Sequence, residues 1–247
     1  MLEPTYKIHR VSTRRLEGIT EPSPGTVHAI IKTDCFECPH AVYNEIVALR
    51  LAQTLRAPAA DGALTVTNDG TVYASLQLDS PGMSLPNLLE WQRQRAFDRY
   101  PALATSLVAF DILIGNGDRA RNLKASVLPT QPPIFAGFDH ANALLGALVE
   151  VEESIMGLAS EELIVTFHPF YHRVDYSQLE AVAFRYMEFA QEYFGLIRDC
   201  CFLGVPFRDV DMNMQINLAD AIVERCLLMP QIVEMNAEHI TGRPWHN

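Results

Sequence analysis

The spacing of apolar residues changes character along the chain. Residues 6 to 12 set Tyr6, Ile8 and Val11 against Lys7, His9, Arg10 and Ser12, a loose period-two pattern that predicts a strand. Gly18 and then Glu21 to Thr26 are turn chemistry, and Thr26 to Lys32 is an apolar, β-branched run that reads as a second strand ending in a lysine. Pro39 suits a first helical position, and Ala41, Ile46, Leu49, Ala52 and Leu55 behind it trace one apolar face, which predicts a helix carrying Glu45. Ala57 to Gly62 breaks that helix. Residues 63–67 and 71–76, joined by Asn68-Asp69-Gly70, read as a hairpin, because Asp-Gly supplies the positive backbone angles such turns need.

At Ser80-Pro81-Gly82 the pattern turns from β-rich to helical. Residues 85–96 and 100–114 read as two helices. The second is apolar all round (Leu103, Leu107, Val108, Phe110, Ile112, Leu113, Ile114) and is therefore predicted to be buried. Trp91, in the more polar first helix, reads as a packing residue. Short strands are expected at 123–127 and 134–138, on either side of the Pro129 to Pro133 turn. Residues 176–194 and 218–235 read as helices, with Pro230 bending or ending the last. The class is α+β, with a small β-rich part over 1–80 and a mainly helical part over 81–247.

Composition narrows the partners. A formal net charge of -11 disfavours nonspecific attraction to nucleic acid or anionic lipid, so no direct nucleic-acid binding is expected. The N-terminus Met1-Leu2-Glu3-Pro4 lacks a basic-then-apolar signal, and no run approaches the roughly 20 apolar residues of a spanning helix, so a cytoplasmic protein without a membrane span is expected. Five cysteines are an odd, sparse set that fits reduced thiols. Cys35-Phe36-Glu37-Cys38 has the two-residue spacing of redox and zinc motifs, but a zinc site would want a matching second pair, Cys200 and Cys201 are adjacent, and it reads as plain loop. Glu150 to Glu153 reads as a solvated acidic surface. His168 and His172 lie four apart, yet Pro169 between them spoils a helix-face metal site.

The chemistry gathers in two segments. Phe110-Asp111-Ile112-Leu113-Ile114-Gly115-Asn116-Gly117-Asp118-Arg119-Ala120-Arg121-Asn122-Leu123 runs an apolar helix end into a broken loop holding a carboxylate, guanidinium groups and an amide. Ile134-Phe135-Ala136-Gly137-Phe138-Asp139-His140 then delivers a second carboxylate. Two such carriers of oxygen ligands suit Mg²⁺, which takes few protein carboxylates and completes its shell with water and phosphate. A lysine at a strand end followed by a helix glutamate, Lys32 and Glu45, is the pair kinases use to hold nucleotide phosphates. The arrangement points to phosphoryl transfer. For His140, structural hydrogen bonding is the commoner fate, since Mg²⁺ prefers oxygen.

Asp118 through Asn122 followed by Asp139 resembles the catalytic and metal-binding segments of the HipA-like kinases, distant relatives of phosphoinositide and protein kinases. Residues 44–52 resemble the corresponding helix of that family. The resemblance implies a two-lobed protein-kinase-like fold, ATP and Mg²⁺ as cofactors, and protein Ser/Thr as phosphate acceptor. It further implies that Lys32 and Glu45 serve the nucleotide phosphates, and that the backbone of Gln77, Leu78 and Asp79 meets the adenine edge. Asp118 becomes the base that accepts the hydroxyl proton, and Asn122 and Asp139 become Mg²⁺ ligands. Three departures stand beside it: Asn122 follows Asp118 by four positions instead of five, Ala120 replaces a common His, and the turn near Gly25 lacks Gly-x-Gly spacing. They keep open an alternative, a catalytically weak or inactive kinase-like module that binds nucleotide or a protein. Arg119 and Arg121 either add positive charge near the transferring group or pair with a neighbouring carboxylate.

The plain reading of Cys35 and Cys38 has a direct test. Chelators should neither unfold the purified protein nor release zinc in proportion to chain, as read by circular dichroism and metal analysis. One tightly held zinc per chain would overturn it.

Overall fold

The computed structural model describes residues 6, 8–14, 22–68, 70–80, 83–85, 88–131, 133–147 and 150–242. Met1 to Pro4, Lys7, Gly18, Glu21, Asp69, Pro81 and Gly82, which entered the sequence reading, lie outside the described residues. The predicted first strand forms as β1 (Ile8–Val11), antiparallel to β2 (Gly25–Val27). The single strand expected over 26–32 is instead two, because β3 (Ala29–Lys32) pairs in a different sheet. His28 falls between them, its carbonyl taken by the Gln77 N–H at 3.0 Å and its ring set edge-on to His9. A locally apolar run carries no mark of which neighbour each half will pair with. The predicted hairpin forms as β4 (Gly62–Thr67) and β5 (Gly70–Leu76), and β5 lies between β3 and β4, with Lys32 opposite Tyr73. Gly70, at φ 122, carries the positive angle of the turn.

Helix α1 (Ala41–Leu55) follows the predicted apolar face but is buried on more than one side. Val42, Ile46 and Leu49 pack on Tyr73 of the sheet, while Tyr43, Val47, Ala48 and Leu51 enter the main core. Its first turn lacks a local side-chain cap, and the Asp34 carboxylate serves instead, accepting from the Val42 N–H at 2.9 Å. After α1 the chain joins the later half of the fold directly: Ala60 N–H donates to Gly137 O and Gly137 N–H to Pro58 O, at 2.8 and 2.9 Å.

Helix α2 (Glu90–Arg99) begins later than predicted, because the Gln92 side chain takes the Leu89 N–H and fixes the start there. Trp91 does not pack in the core. It is 61% exposed, with the Arg95 guanidinium 5.4 Å from its ring, so the polar face of α2 carries it outward. Helix α3 (Pro101–Ile114) is buried from Ala104 to Ile114, as its all-round apolar pattern predicted. β8 (Leu123–Ala125) and β9 (Phe135–Gly137) are shorter than the runs that announced them and pair antiparallel with Leu123 opposite Gly137. The acidic cluster forms an unpredicted helix, α4 (Val151–Leu158), whose Glu152 and Glu153 occupy the first turn, where the helix dipole favours negative charge. Helix α5 (Tyr176–Cys201) runs past Phe194 through a kink at Tyr193, and α6 (Met212–Met235) starts earlier than predicted, with the Asp211 carboxylate capping Met214 N–H at 2.8 Å. Pro230 stays inside α6 without ending it, and α7 (Ala237–Thr241) follows. Among the described residues no helix is long and apolar enough to cross a membrane.

Arg225 on α6 ties this helical part together. Its guanidinium is fully buried and donates to the carbonyls of Ile112, Ser160 and Glu162 at 3.0 Å, and to Gly157 and Leu158 at 3.3 and 3.4 Å. Burial lowers its pKa to about 10. Replacing it with Met keeps the apolar stem and strands those buried acceptors, each worth about 1–3 kcal/mol when left unpaired. Arg225→Met should therefore lower unfolding free energy by at least about 3 kcal/mol, read as a fall in the urea midpoint. An unchanged midpoint would show that water or repacking satisfies the carbonyls.

Candidate active site

The site is built outward from the last turn of α3. Gly115, at φ 69, closes the helix in the left-handed conformation that a residue with a side chain resists. The only charged residue inside α3, Asp111, is wholly buried there. Its carboxylate accepts two bonds from Arg119, Nε to Oδ2 at 2.8 Å and Nη2 to Oδ1 at 2.9 Å, and a third from Asn116 Nδ2 at 3.1 Å. His168 completes the set, with Nε2 3.0 Å from Oδ2. Phe170 N–H donates to His168 Nδ1, so the ring proton sits on Nε2 and points at Asp111. Burial alone would raise the Asp111 pKa, but Arg119 and His168 outweigh it and hold the carboxyl far below its usual range. Burial likewise lowers the His168 pKa and keeps the ring neutral.

This settles one of the two open arginines. Arg119 pairs with a carboxylate, and its remaining Nη1 donates to the carbonyls of Asn122 and Phe138 at 2.7 and 2.6 Å. Arg121 is exposed. Gly137 permits the packing, since a Cβ there would lie 2.9 Å from the Arg119 guanidinium carbon. One buried side chain thus grips both segments that the sequence singled out.

Above Arg119 the loop turns tightly. Asn122 N–H bonds Arg119 O at 3.1 Å, and Asn122 Nδ2 donates to Asp118 O at 2.8 Å and to Asp118 Oδ2 at 3.3 Å. Asp118 is exposed, with its N–H on Asn116 Oδ1 at 3.3 Å. The four-position spacing therefore brings the Asp118 carboxylate and the Asn122 amide together. Phe138 N–H bonds Asn122 O at 3.0 Å, which extends the β8–β9 pairing by one step and sets Asp139 immediately beyond Asn122. Asp139 has φ 61, an uncommon conformation for a residue other than Gly.

From the other side come β3 and α1. Lys32 Nζ lies 2.5 Å from Glu45 Oε1 and 2.8 Å from Asp139 Oδ1, which makes one ammonium common to two carboxylates. Glu45 is 1% exposed, not the surface carboxylate a lone helix position suggests, and its Oε1 also accepts His140 N–H at 2.9 Å. The His140 ring stands beside the same carboxylate, Nδ1 3.6 Å from Oε2, a structural place for this histidine. Of the remaining predicted residues, Gln77 carries the backbone bond to His28, and Leu78 is buried against Ala60 and Ala136. Asp79 opens β6 (Asp79–Ser80), paired with β7 (Met83–Ser84). Through Ala136 and Phe138 the Leu78 cluster adjoins the strand that leads to Asp139.

Among the described residues no three His, Cys, Asp or Glu side chains cluster as a metal site. The oxygen donors here are Asp139 and, opposite the residue before it, Asn122, whose Nδ2 donates and whose carbonyl end is left to accept or ligate. That donor set suits a hard cation that also takes phosphate and water. Sequence reasoning missed Asp111, Asn116 and His168. A lone carboxylate within an apolar helix was a usable signal for the first. His168 gave none, because its partner lies 57 positions away.

The fold is similar to that of a solved kinase. The Helicobacter pylori proinflammatory kinase CtkA aligns over 91% of this chain and 96% of its own, at 13% identity and a TM-score of 0.56. HipA of the Shewanella oneidensis MR-1 toxin–antitoxin system, solved with HipB and operator DNA, aligns over 87% of this chain and 65% of its own, at 16% identity and a TM-score of 0.48. No family model and no curated protein sequence matches the chain. The chain has a kinase-related fold, as the resemblance to HipA-like kinases implied: a mixed α/β architecture of small antiparallel sheets and several helices.

Glu45 offers a test of the geometry through pH. Burial raises its pKa, but the His140 and Lys32 interactions prevail and hold it at about 2 against an ordinary 4.5. A carboxyl depressed on folding contributes stability that is complete above its unfolded pKa and lost as pH falls toward the folded one. The stability gap between wild type and Glu45→Gln should be widest above about pH 4.5 and narrow toward pH 2, measured by urea unfolding across that window. A gap constant with pH would remove the charge interactions from the account.

Proposed function

We propose that the chain is an ATP-dependent, Mg²⁺-using kinase that transfers the terminal phosphoryl group to a hydroxyl, with Ser or Thr of a protein as acceptor. The observation that carries the reading is the Lys32 ammonium held between buried Glu45 and half-exposed Asp139, at 2.5 and 2.8 Å. A lysine so placed is oriented by the buried carboxylate and presented to phosphate beside the second. Residues 1–80 act as the nucleotide-binding lobe and 81–247 as the catalytic lobe, and the Gln77 to Asp79 backbone meets the adenine edge.

When bound, ATP with Mg²⁺ supplies the transferable group and the cation that screens its charge. The chain's own residues position and neutralise. Lys32 binds phosphate oxygen, and Glu45 fixes its direction. The Asn122 carbonyl oxygen and the Asp139 carboxylate hold the cation, and the Asp118 carboxylate accepts the proton of the attacking hydroxyl. Arg119 touches none of the reacting groups. Its service is to keep Asn122 and Phe138, and so Asp139, at fixed separation.

A second reading has its own support. The Asn122 amide is turned onto both Asp118 oxygens that it reaches, one main-chain and one side-chain, within a loop one position shorter than the family pattern. A module whose loop stays so folded binds nucleotide without transferring phosphate. Two variants separate the readings. Asp118→Asn should preserve ATP-Mg²⁺ thermal stabilisation and lower turnover by about 10²–10⁴-fold, the range of general-base help. Asp139→Asn should lose the Mg²⁺-dependent stabilisation as well, since it removes a charged ligand from a hard cation. Stabilisation by ATP-Mg²⁺ with no phosphate transfer in wild type would favour the inactive module, and full-rate transfer by Asp118→Asn would remove Asp118 as base.

A further inference from the structure

The connection between β3 and α1 carries Cys35-Phe36-Glu37-Cys38, and its fold gives those thiols more than a spacing role. Cys35 N–H donates to Cys38 O at 3.2 Å, which draws the ends of the tetrapeptide together. Closure of that kind brings the pair toward the roughly 4.4–6.8 Å Cα separation that a disulfide spans. Cys35 is exposed and Cys38 half-buried, both as free thiols, while Cys200, Cys201 and Cys226 are buried. An oxidant in solvent meets the pair first.

Cys38 also reaches across the fold. Its Sγ–H donates to Asn142 Oδ1 at 3.2 Å, three positions beyond Asp139. The same segment is held to α1 by Asn44 Nδ2 on Ala141 O at 2.8 Å and by the His140 N–H on Glu45. A thiol can donate that bond to Asn142. A disulfide sulfur has no proton and cannot.

We propose that Cys35 and Cys38 form a site of reversible oxidation to a disulfide, and that the reaction loosens the segment after Asp139 by consuming the proton Cys38 donates to Asn142. With hydrogen peroxide as oxidant, Cys35 sulfur attacks one peroxide oxygen and the O–O bond breaks. This leaves a sulfenic acid on Cys35 and releases one water that carries the Cys35 proton. Cys38 sulfur then attacks Cys35 sulfur, the S–O bond breaks, and the departing hydroxide takes the Cys38 proton as a second water. Two thiols are oxidised and one peroxide is reduced to two waters. A dithiol reductant reverses the change by exchange.

The test uses the purified full chain, treated with hydrogen peroxide and followed by mass spectrometry and amide hydrogen exchange. The expected product has lost two hydrogens, resists alkylation at both Cys35 and Cys38, reverts with dithiothreitol, and does not form in Cys35→Ser. Exchange at Ala143 and Leu144, whose N–H groups bond His140 O and Ile114 O, should speed up about three- to tenfold on oxidation, the worth of one ordinary hydrogen bond. Cys38→Ala should show that faster exchange without oxidant, and Cys38→Ser, whose hydroxyl still donates to Asn142, should not. Progress of Cys35 to sulfinic acid with Cys38 still alkylatable, or oxidation of the three buried cysteines at the same rate, would overturn the site. Unchanged exchange in the disulfide form would overturn its effect on the segment.

Discussion

The structure depends on a salt bridge that makes no contact with solvent. Asp111 and Arg119 are both wholly buried, and taking two such charges out of water costs several kcal/mol per ion unless every lone pair and proton is matched. Here the matching is dense. Asn116 and His168 supply further donors to the carboxylate, and the carbonyls of Asn122 and Phe138 accept from the guanidinium. The network therefore specifies geometry more than it adds stability. A helix end, a loop and a strand have one arrangement in which none of these groups is stranded, and that arrangement sets Asn122 beside Phe138.

Glu45 does the corresponding work from the opposite side. One of its oxygens takes both the Lys32 ammonium and the His140 amide, so the helix, the strand and the segment after Asp139 meet at a single atom. Asp139 lies between the two anchors: Arg119 holds the carbonyl before it, and Glu45 holds the amide after it. A residue pinned on both flanks can be kept at φ 61, a conformation that costs free energy when the surroundings leave it free. The strained angle is thus a consequence of two hydrogen bonds that bracket it.

What could be read from the sequence and what could not divide along a physical line. Periodicity announced α1, α3 and the β4–β5 hairpin, because each satisfies its backbone within a local pattern. Lys32, Glu45, Asp118, Asn122 and Asp139 stood out through the kinase-like lysine–glutamate pair and the resemblance to HipA-like segments, and Lys32 with Glu45 and Asp139, like Asp118 with Asn122, do come into contact. The sequence left the choice between the two roles of Arg119 open, since its partner Asp111 lies eight positions away on the far side of a helix terminus. The split of residues 26–32 into two sheets is decided by the strand each half pairs with, and a one-dimensional pattern does not contain the neighbour.

Burial also separates the residues that fix the geometry from those offered to a ligand. Asp111, Arg119, His168 and Glu45 have their partners inside the protein, in surroundings where an unpaired charge is costly. Asp118 is exposed, while Lys32 and Asp139 keep part of their surface open and neutralise each other in direct contact at 2.8 Å. An anion arriving there competes with Asp139 for the lysine, and a cation competes with the lysine for Asp139. On the kinase reading proposed above, the two charges are exchanged together, ammonium to phosphate and carboxylate to metal, and a nucleotide bound with its Mg²⁺ would do both without leaving either group alone.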